Sequence, residues 1–392
     1  MGFFEILLRR AVTVGTVRLI GPDGGAETFE GANPGPSITI RITDRSFDRK
    51  VARNPELAVA EAYMDGSLQL EEGTLPDLFE IYHANQDVFE KRPGPIARRA
   101  LWGMRKMMEV NAPWQAKQNA SRHYDLGNTF YRRWLDRDMQ YSCAYFESDT
   151  ATLEEAQTAK KRHIAAKLNL KPGQRVLDIG CGWGGMALYL AAVCDVEVIG
   201  ITLAEEQLAI AQARAQAAGL SDRVRFELRD YRKVTETFDR VVSVGMLEHV
   251  GPGSLDRYYQ VVHDRLAPDG VALIHSISAR FAPRTTSPFL RKYIFPGGSI
   301  PAISDSAAAV EKSGLWPLDT ELLRLHYAKT LEAWAQNFDL VRDEVAEEYG
   351  GRFVRMWDFY LTACQYTFSH GRNLVYQMQL GRSRDAVPIT RD

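Results

Sequence analysis

Between residues 12 and 42 apolar and polar positions alternate in two short runs, Val14-Gly-Thr-Val-Arg-Leu-Ile20 and Ser37-Ile-Thr-Ile-Arg-Ile42, separated by glycine- and proline-rich turns. A period of two puts one side of each run in a core and the other in water, so both read as antiparallel strands. Asn54-Pro55 then opens a helix through Tyr63, with Asn54 as the cap and proline at the first helical position, where its missing N–H costs nothing. Thr74, Pro76 and Asp77 give the capped start of a second helix running through Leu78, Ile81 and Tyr82. Together these elements predict a small α+β unit over residues 1–90.

At Lys91-Arg-Pro-Gly-Pro95 the composition changes, and the following stretch sets Arg98, Arg99, Arg105 and Lys106 among Leu101, Trp102 and Met104. A domain boundary is expected here, with a basic linker over residues 91–122. Two readings of that linker stand: an amphipathic helix packed on the protein, or a segment lying on an anionic membrane surface with its cations at the headgroups.

From residue 175 apolar strand-like runs alternate with alanine-rich stretches of helical period. The runs are 175–179, 196–201, 224–228, 238–244 and 270–275. Strand and helix in alternation imply a parallel sheet covered on both faces, so residues 123–392 are expected to form an α/β domain.

Composition narrows the function. The chain of 392 residues is 45% hydrophobic with a formal charge of -2, which gives no whole-molecule attraction to nucleic acid. Cys143, Cys181, Cys194 and Cys364 are scattered without CxxC spacing, against both a zinc site and a disulfide framework; no metal is expected and a reducing cytosol is the simplest home. Met1 to Arg10 has its apolar residues ahead of its arginines, the reverse of a secretory signal, and no uncharged apolar run is long enough to span a bilayer.

The strongest local signal is Val176-Leu-Asp-Ile-Gly-Cys-Gly-Trp-Gly-Gly185, a buried strand that turns on glycines into a helix. Such a turn admits a cofactor close to the backbone, where a side chain would block it. A dinucleotide would rest its pyrophosphate there, but the carboxylate of Asp178 would repel it and instead suits the ammonium group of a methionine moiety, as in S-adenosylmethionine. After the second run Thr202 and Gln207 stand where a ribose is held, with Gln207 as its expected ligand. After the third, Asp230 is placed to accept from an adenine amino group and Tyr231 to stack on its ring. The competing reading for each is a turn residue that caps a helix.

Further motifs carry a family likeness. His123-Tyr-Asp-Leu-Gly-Asn128, Tyr141-Ser-Cys-Ala-Tyr-Phe146, Gly245-Met-Leu-Glu-His-Val-Gly251, Tyr293-Ile-Phe-Pro-Gly-Gly298, His326-Tyr-Ala-Lys-Thr330 and Arg355-Met-Trp-Asp-Phe-Tyr360 resemble the cyclopropane-fatty-acyl-phospholipid synthase family, which includes the mycolic acid cyclopropane synthases. The resemblance runs from about residue 120 to Gly381 and more weakly through the N-terminal unit. Pro288-Phe-Leu290, His275-Ser276-Ile277 and Asp358 are small departures that bear only on acyl-chain preference.

That resemblance implies a Rossmann-like class I methyltransferase domain with a mostly parallel seven-stranded sheet, preceded by a lipid-binding domain. It places S-adenosylmethionine against Tyr141, Ser142, Asp178, Gly180, Gly182, Thr202, Leu203, Gln207, Asp230 and Tyr231. It implies a methylene added across a cis double bond of a phospholipid acyl chain, with aromatic faces from Tyr141, Tyr145, Phe146, Tyr293, Phe295 and Tyr327 steadying the carbocation. The proton would leave to a bicarbonate ion gripped by Glu248, His275 and Tyr327, with Cys143 and Ile277 giving mainly backbone contacts. Cys364 matches a cysteine long regarded as a candidate nucleophile, although sulfonium chemistry needs none. A homodimer docked on the inner face of the membrane is implied. The rival outcomes are a methyl- or methylene-branched chain from the same alkene, or a lipid-binding carrier that has lost activity.

Overall fold

The computed structural model describes residues 2–86, 127–281 and 286–390. The expected linker, residues 91–122, and His123 to Leu126 of the first family motif lie outside the described residues. The described chain forms two compact units that interleave in sequence. One contains residues 2–86, 287–294 and 331–372, the other 127–281, 286, 295–330 and 373–390. Composition suggested a single division near residue 90, but packing draws later segments into the first unit because their apolar faces find partners there.

In the first unit four strands, β1 (Val14–Ile20), β2 (Ala26–Glu30), β3 (Asn33–Ile42) and β4 (Leu68–Glu72), lie in the order β2-β1-β3-β4. The alternation works as expected: Val17, Leu19, Ile38, Ile40 and Ile42 are buried in one core with Phe47, Val51, Ala58 and Ala62 from the helices. The two runs expected to be antiparallel, in β1 and β3, instead pair parallel, and the antiparallel neighbour of β1 is β2, a strand the alternation did not mark. The strand after the hairpin returns along the free edge of β1 rather than beside β2. Gly31 makes that return possible, because a Cβ there would sit 2.4–2.6 Å from the backbone of Thr13 and Val14.

The predicted caps are present. Asn54 accepts from Leu57 N at the start of helix Pro55–Asp65, and Thr74 and Asp77 form a capping box on helix Leu75–Ala84. The late helix Gly351–Ser369 packs on both, with the Phe359 ring 5.9 Å from Tyr63, 5.1 Å from Phe79 and 5.0 Å from Phe289.

The second unit is an α/β domain, as the alternation of strands and helices predicts. Among the described residues its sheet has seven strands in the order β10-β11-β9-β8-β5-β6-β7. They are β5 (Arg175–Ile179), β6 (Glu197–Thr202), β7 (Val224–Leu228), β8 (Phe238–Val244), β9 (Leu266–Ala279), β10 (Trp316–Leu322) and β11 (Asn373–Gly381). β5 to β9 are mutually parallel, and β11 runs antiparallel between β9 and β10. Val176, Leu177 and Ile179 of β5 are fully buried, as a strand covered on both faces requires. Each contributes roughly 1.5–3 kcal/mol by leaving water. Chain order reverses between β5 and β8, so a crevice opens at their carboxyl ends, where an open α/β sheet binds its ligand. Among the described residues no helix is long and apolar enough to cross a membrane.

Candidate active site

A cleft lies at that crevice, and nine of the ten expected cofactor residues line it: Tyr141, Ser142, Asp178, Gly180, Gly182, Thr202, Leu203, Gln207 and Tyr231. The tenth, Asp230, does not. Its carboxylate accepts from Arg232 Nε at 2.8 Å and Nη2 at 2.6 Å, so it serves the turn, while Arg232 itself reaches the cleft and lies over the Tyr231 ring. The expected adenine contact fails because a guanidinium two residues away competes for the same carboxylate.

The glycine turn is built as its pattern demands. Gly180 has φ +82° and its amide donates to Ile201 O, which ties the turn to β6; a Cβ there would lie 2.9 Å from Met246. Gly182 has φ +53° and a Cβ there would meet nothing within 4 Å. Asp178, 2% exposed, has an Oδ2 with no hydrogen-bond partner among the described residues, and burial raises its pKa to about 7. A buried carboxyl left unsatisfied beside an open glycine turn fits a ligand that brings an ammonium group, and S-adenosylmethionine carries one.

Several residues that position this cleft have no signature in the sequence. Lys160 reads as part of a solvated helix face, yet it is fully buried and its Nζ donates to Gln140 Oε1 at 2.6 Å and Ser142 Oγ at 2.9 Å. Burial lowers its pKa to about 8, and its charge acts on Asp178, Cys143 and His275 alike. Gln157 Nε2 donates to the carbonyls of Gln140 and Ser142, so helix Leu153–Leu168 clamps the cleft wall from behind. Trp183 in the glycine turn donates through Nε1 to Asn128 at 2.6 Å, which gives the last residue of the first family motif a structural task.

The proposed anion ligands are brought together in two groups. In the first, Glu248 follows β8; its Oε1 accepts from Ile277 N of β9 at 2.5 Å, and Gly245 N donates to His275 O at 2.9 Å. Glu248 Oε2 is buried and has no hydrogen bond among the described residues, where the nearby Ser276 hydroxyl donates to Ile277 O at 3.0 Å. Burial raises the Glu248 carboxyl to about 7, while burial and then the Lys160 charge hold His275 well below its usual value. In the second, Ala144 N donates to Thr330 Oγ1 at 3.0 Å and Phe146 N to His326 Nδ1 at 2.9 Å, which pins the Cys143 segment to the helix turn that carries Tyr327. Cys143 is buried, and loss of water pushes its thiol well above the ordinary range. Neither group lines the cofactor cleft; His249, the neighbour of Glu248, does.

The aromatic residues divide. Tyr141 and Phe295 rings lie 6.5 Å apart, and Tyr145 stacks between His163 at 4.2 Å and His326 at 4.7 Å, with Phe146 on the far side of His326. Tyr293 belongs to the first unit, where its hydroxyl donates to Glu61 at 2.7 Å. Cys364 is also in the first unit, on helix Gly351–Ser369, with its thiol pushed up to about 12 by burial.

The sheet order, the glycine turn and the unsatisfied Asp178 define an S-adenosylmethionine-dependent methyltransferase. Residues 112–378 match the family model described as mycolic acid cyclopropane synthetase, and residues 3–93 match a family described only as a domain of unknown function. The chain is 39% identical to the cyclopropane-fatty-acyl-phospholipid synthase of Escherichia coli K12 over 329 residues, 84% of each chain. It is 34% identical to the tuberculostearic acid methyltransferase UfaA1 of Mycobacterium tuberculosis, covering 96% of this chain and 90% of that one. Among solved structures, the M. tuberculosis cyclopropane synthase MmaA2 aligns with a TM-score of 0.65 at 34% identity, covering 67% of this chain and 97% of that one. The chain therefore belongs to the mycolic acid cyclopropane synthetase family, and its chemistry is S-adenosylmethionine-dependent modification of lipids.

Proposed function

We propose that the protein adds a methylene from S-adenosylmethionine across a cis double bond of an unsaturated phospholipid acyl chain, forming a cyclopropane ring. The observation that carries the reading is the Glu248 carboxyl, held by Ile277 N at 2.5 Å and raised to about 7 by burial, with its second oxygen unsatisfied. A neutral carboxyl in a dry site donates to an anion, and a retained His275 with Nε2 unpaired among the described residues does the same. The free Oε2 of Glu248 and the Nε2 of His275 suit bicarbonate, with Tyr327 and the Cys143 backbone as its further ligands; the Ile277 amide, given to Glu248 Oε1, holds the carboxyl in place instead. The E. coli relative, matched over 84% of this chain, is named for phospholipid acyl chains, which supports an esterified substrate.

S-adenosylmethionine supplies an electrophilic sulfonium methyl. The alkene π pair would attack that carbon as the C–S bond breaks, leaving a carbocation on the acyl chain. Bicarbonate held by Glu248, His275 and Tyr327 would supply the base that takes a proton from the new methyl group, so that the C–H electron pair could close the ring. What the chain contributes is orientation and dryness. Asp178 fixes the methionine end, Gln207 with Thr202 faces the ribose, Tyr231 faces the adenine, and the aromatic rings of Tyr141 and Phe295 offer their faces to positive charge.

A second reading has an observation in its favour, since the relative covering 96% of this chain is named a tuberculostearic acid methyltransferase. The same carbocation would then undergo a hydride shift onto the cationic carbon and lose a proton from the methyl group to the base, leaving a methylene branch. We also propose that the protein acts as a homodimer at the inner surface of the membrane, with Arg98, Arg99, Arg105 and Lys106 at anionic headgroups; neutralising them should weaken vesicle binding at low salt. Incubation with unsaturated phospholipid vesicles and the methyl donor, followed by NMR of the lipid, tests the whole reading. Ring protons support it, an exocyclic methyl or methylene selects the second reading, and unchanged lipid overturns both.

A further inference from the structure

His275 is one end of a buried chain of contacts that reaches from β9 to the edge strand. Its Nδ1 lies 3.2 Å from Gln377 Nε2 on the neighbouring strand β11. Gln377, fully buried, turns its Oε1 to Lys167 Nζ at 2.8 Å. Lys167 is held in turn by Glu321 on β10, whose same oxygen meets His163 Nε2 at 2.6 Å. The pKa of Glu321 is held down to about 2, first by His163 and also by Lys167, so it anchors the row as an anion.

The direction of every bond in that row follows from Lys167. An ammonium group only donates, so the Gln377 atom facing it is the carbonyl oxygen. The amide nitrogen is then the atom facing His275, and an amide N–H₂ only donates, so Nδ1 must accept and carries no proton. A neutral imidazole with a bare Nδ1 has its hydrogen on Nε2. Nε2 has no partner among the described residues, so it presents that hydrogen to whatever occupies the site.

We propose that Lys167, acting through Gln377, locks His275 in the Nε2–H tautomer and makes it a donor to the bound anion that cannot act as the base. Gln377 and Lys167 are positioning residues, since neither is placed to touch the substrate. The inference rests on the reading that His275 faces bicarbonate. If the amide turned over, Nδ1 would take the proton and Nε2 would aim a lone pair at a negative oxygen.

The test is the nitrogen spectrum of histidine in the full chain labelled with ¹⁵N-histidine, with His275→Gln used to assign the signal. Wild type and Lys167→Arg should show the Nε2–H tautomer. Lys167→Met frees the amide to rotate and Gln377→Leu removes it, so both should move His275 wholly or partly to Nδ1–H. In the same two variants the bicarbonate concentration for half-maximal rate should rise roughly tenfold or more, the loss of one hydrogen bond to a charged group. Wild-type His275 in the Nδ1–H form, or a tautomer unmoved in both variants, overturns the proposal. A tautomer that moves while the bicarbonate requirement stays fixed upholds the lock and overturns the anion assignment of His275 instead.

Discussion

Glu248 Oε1 receives the Ile277 amide at 2.5 Å while the buried Oε2 of the same carboxyl receives nothing among the described residues. One oxygen is spent on holding β8 against β9, and the other is left for a ligand. Glu248→Leu keeps an apolar side chain of similar size but removes both the accepted bond and the donor to the anion, so turnover should fall about 10-fold or more. S-adenosylmethionine affinity, measured by calorimetry, should stay within a few-fold of wild type. A cofactor affinity that falls as far as the rate would assign Glu248 to the cofactor.

Asp178 and Glu248 both have pKa values near 7 in the folded chain, against ordinary values of 3.8 and 4.5. Between those limits the folded chain keeps protons that the unfolded chain has released, so stability of the cofactor-free protein should fall as pH climbs from about 4 to 7. The slope is at most about 1.4 kcal/mol per pH unit for each group. Asp178→Asn removes one of the two contributions, which thermal melts across that range will show as a shallower slope.

The same carboxyl must be ionised to pair with an ammonium group. Cofactor affinity should therefore rise with pH up to about 7 and level off above it, by no more than about tenfold per unit. In Asp178→Asn the binding should be weaker by roughly 10- to 100-fold and lose that pH dependence. A wild-type binding curve flat from pH 5 to 8 would place the ammonium elsewhere.

Gly180→Ala and Gly182→Ala separate backbone strain from ligand contact. Both positions have positive φ, costing about 1–2 kcal/mol for alanine, but only at Gly180 does the new methyl meet Met246. Gly180→Ala should lower the melting temperature of the cofactor-free protein more than Gly182→Ala does. Both should weaken cofactor binding, since both border the cleft.

Cys364→Ala should retain activity within a few-fold of wild type. With its thiol near 12, a negligible fraction is thiolate at neutral pH, and the reaction needs no covalent intermediate. Loss of rate beyond a hundredfold, with unchanged melting, would restore Cys364 as a nucleophile.

Period-two alternation in residues 14–20 and 37–42, the caps at Asn54 and Thr74, and the glycine turn after β5 were all legible in the chain. Each is a local rule, in which a residue's neighbours a few positions away decide its conformation. The direction of β3 was not legible, because hairpin rules do not say on which side of β1 a third strand returns.

The site divides along the same line. Sequence alone determined the cofactor turn, since Asp178, Gly180 and Gly182 are chemistry and backbone freedom within a few residues of one another. Motif likeness added Glu248, His275 and Tyr327. Only the tertiary structure decided that Lys160 is buried behind the cleft, that Arg232 takes Asp230, and that Gln377 and Lys167 stand behind His275. Lys167 and Gln377, 210 positions apart, meet there because helix Leu153–Leu168 packs on the sheet in which β9 and β11 lie side by side. A polar side chain carries no local sign of which partner burial will force upon it.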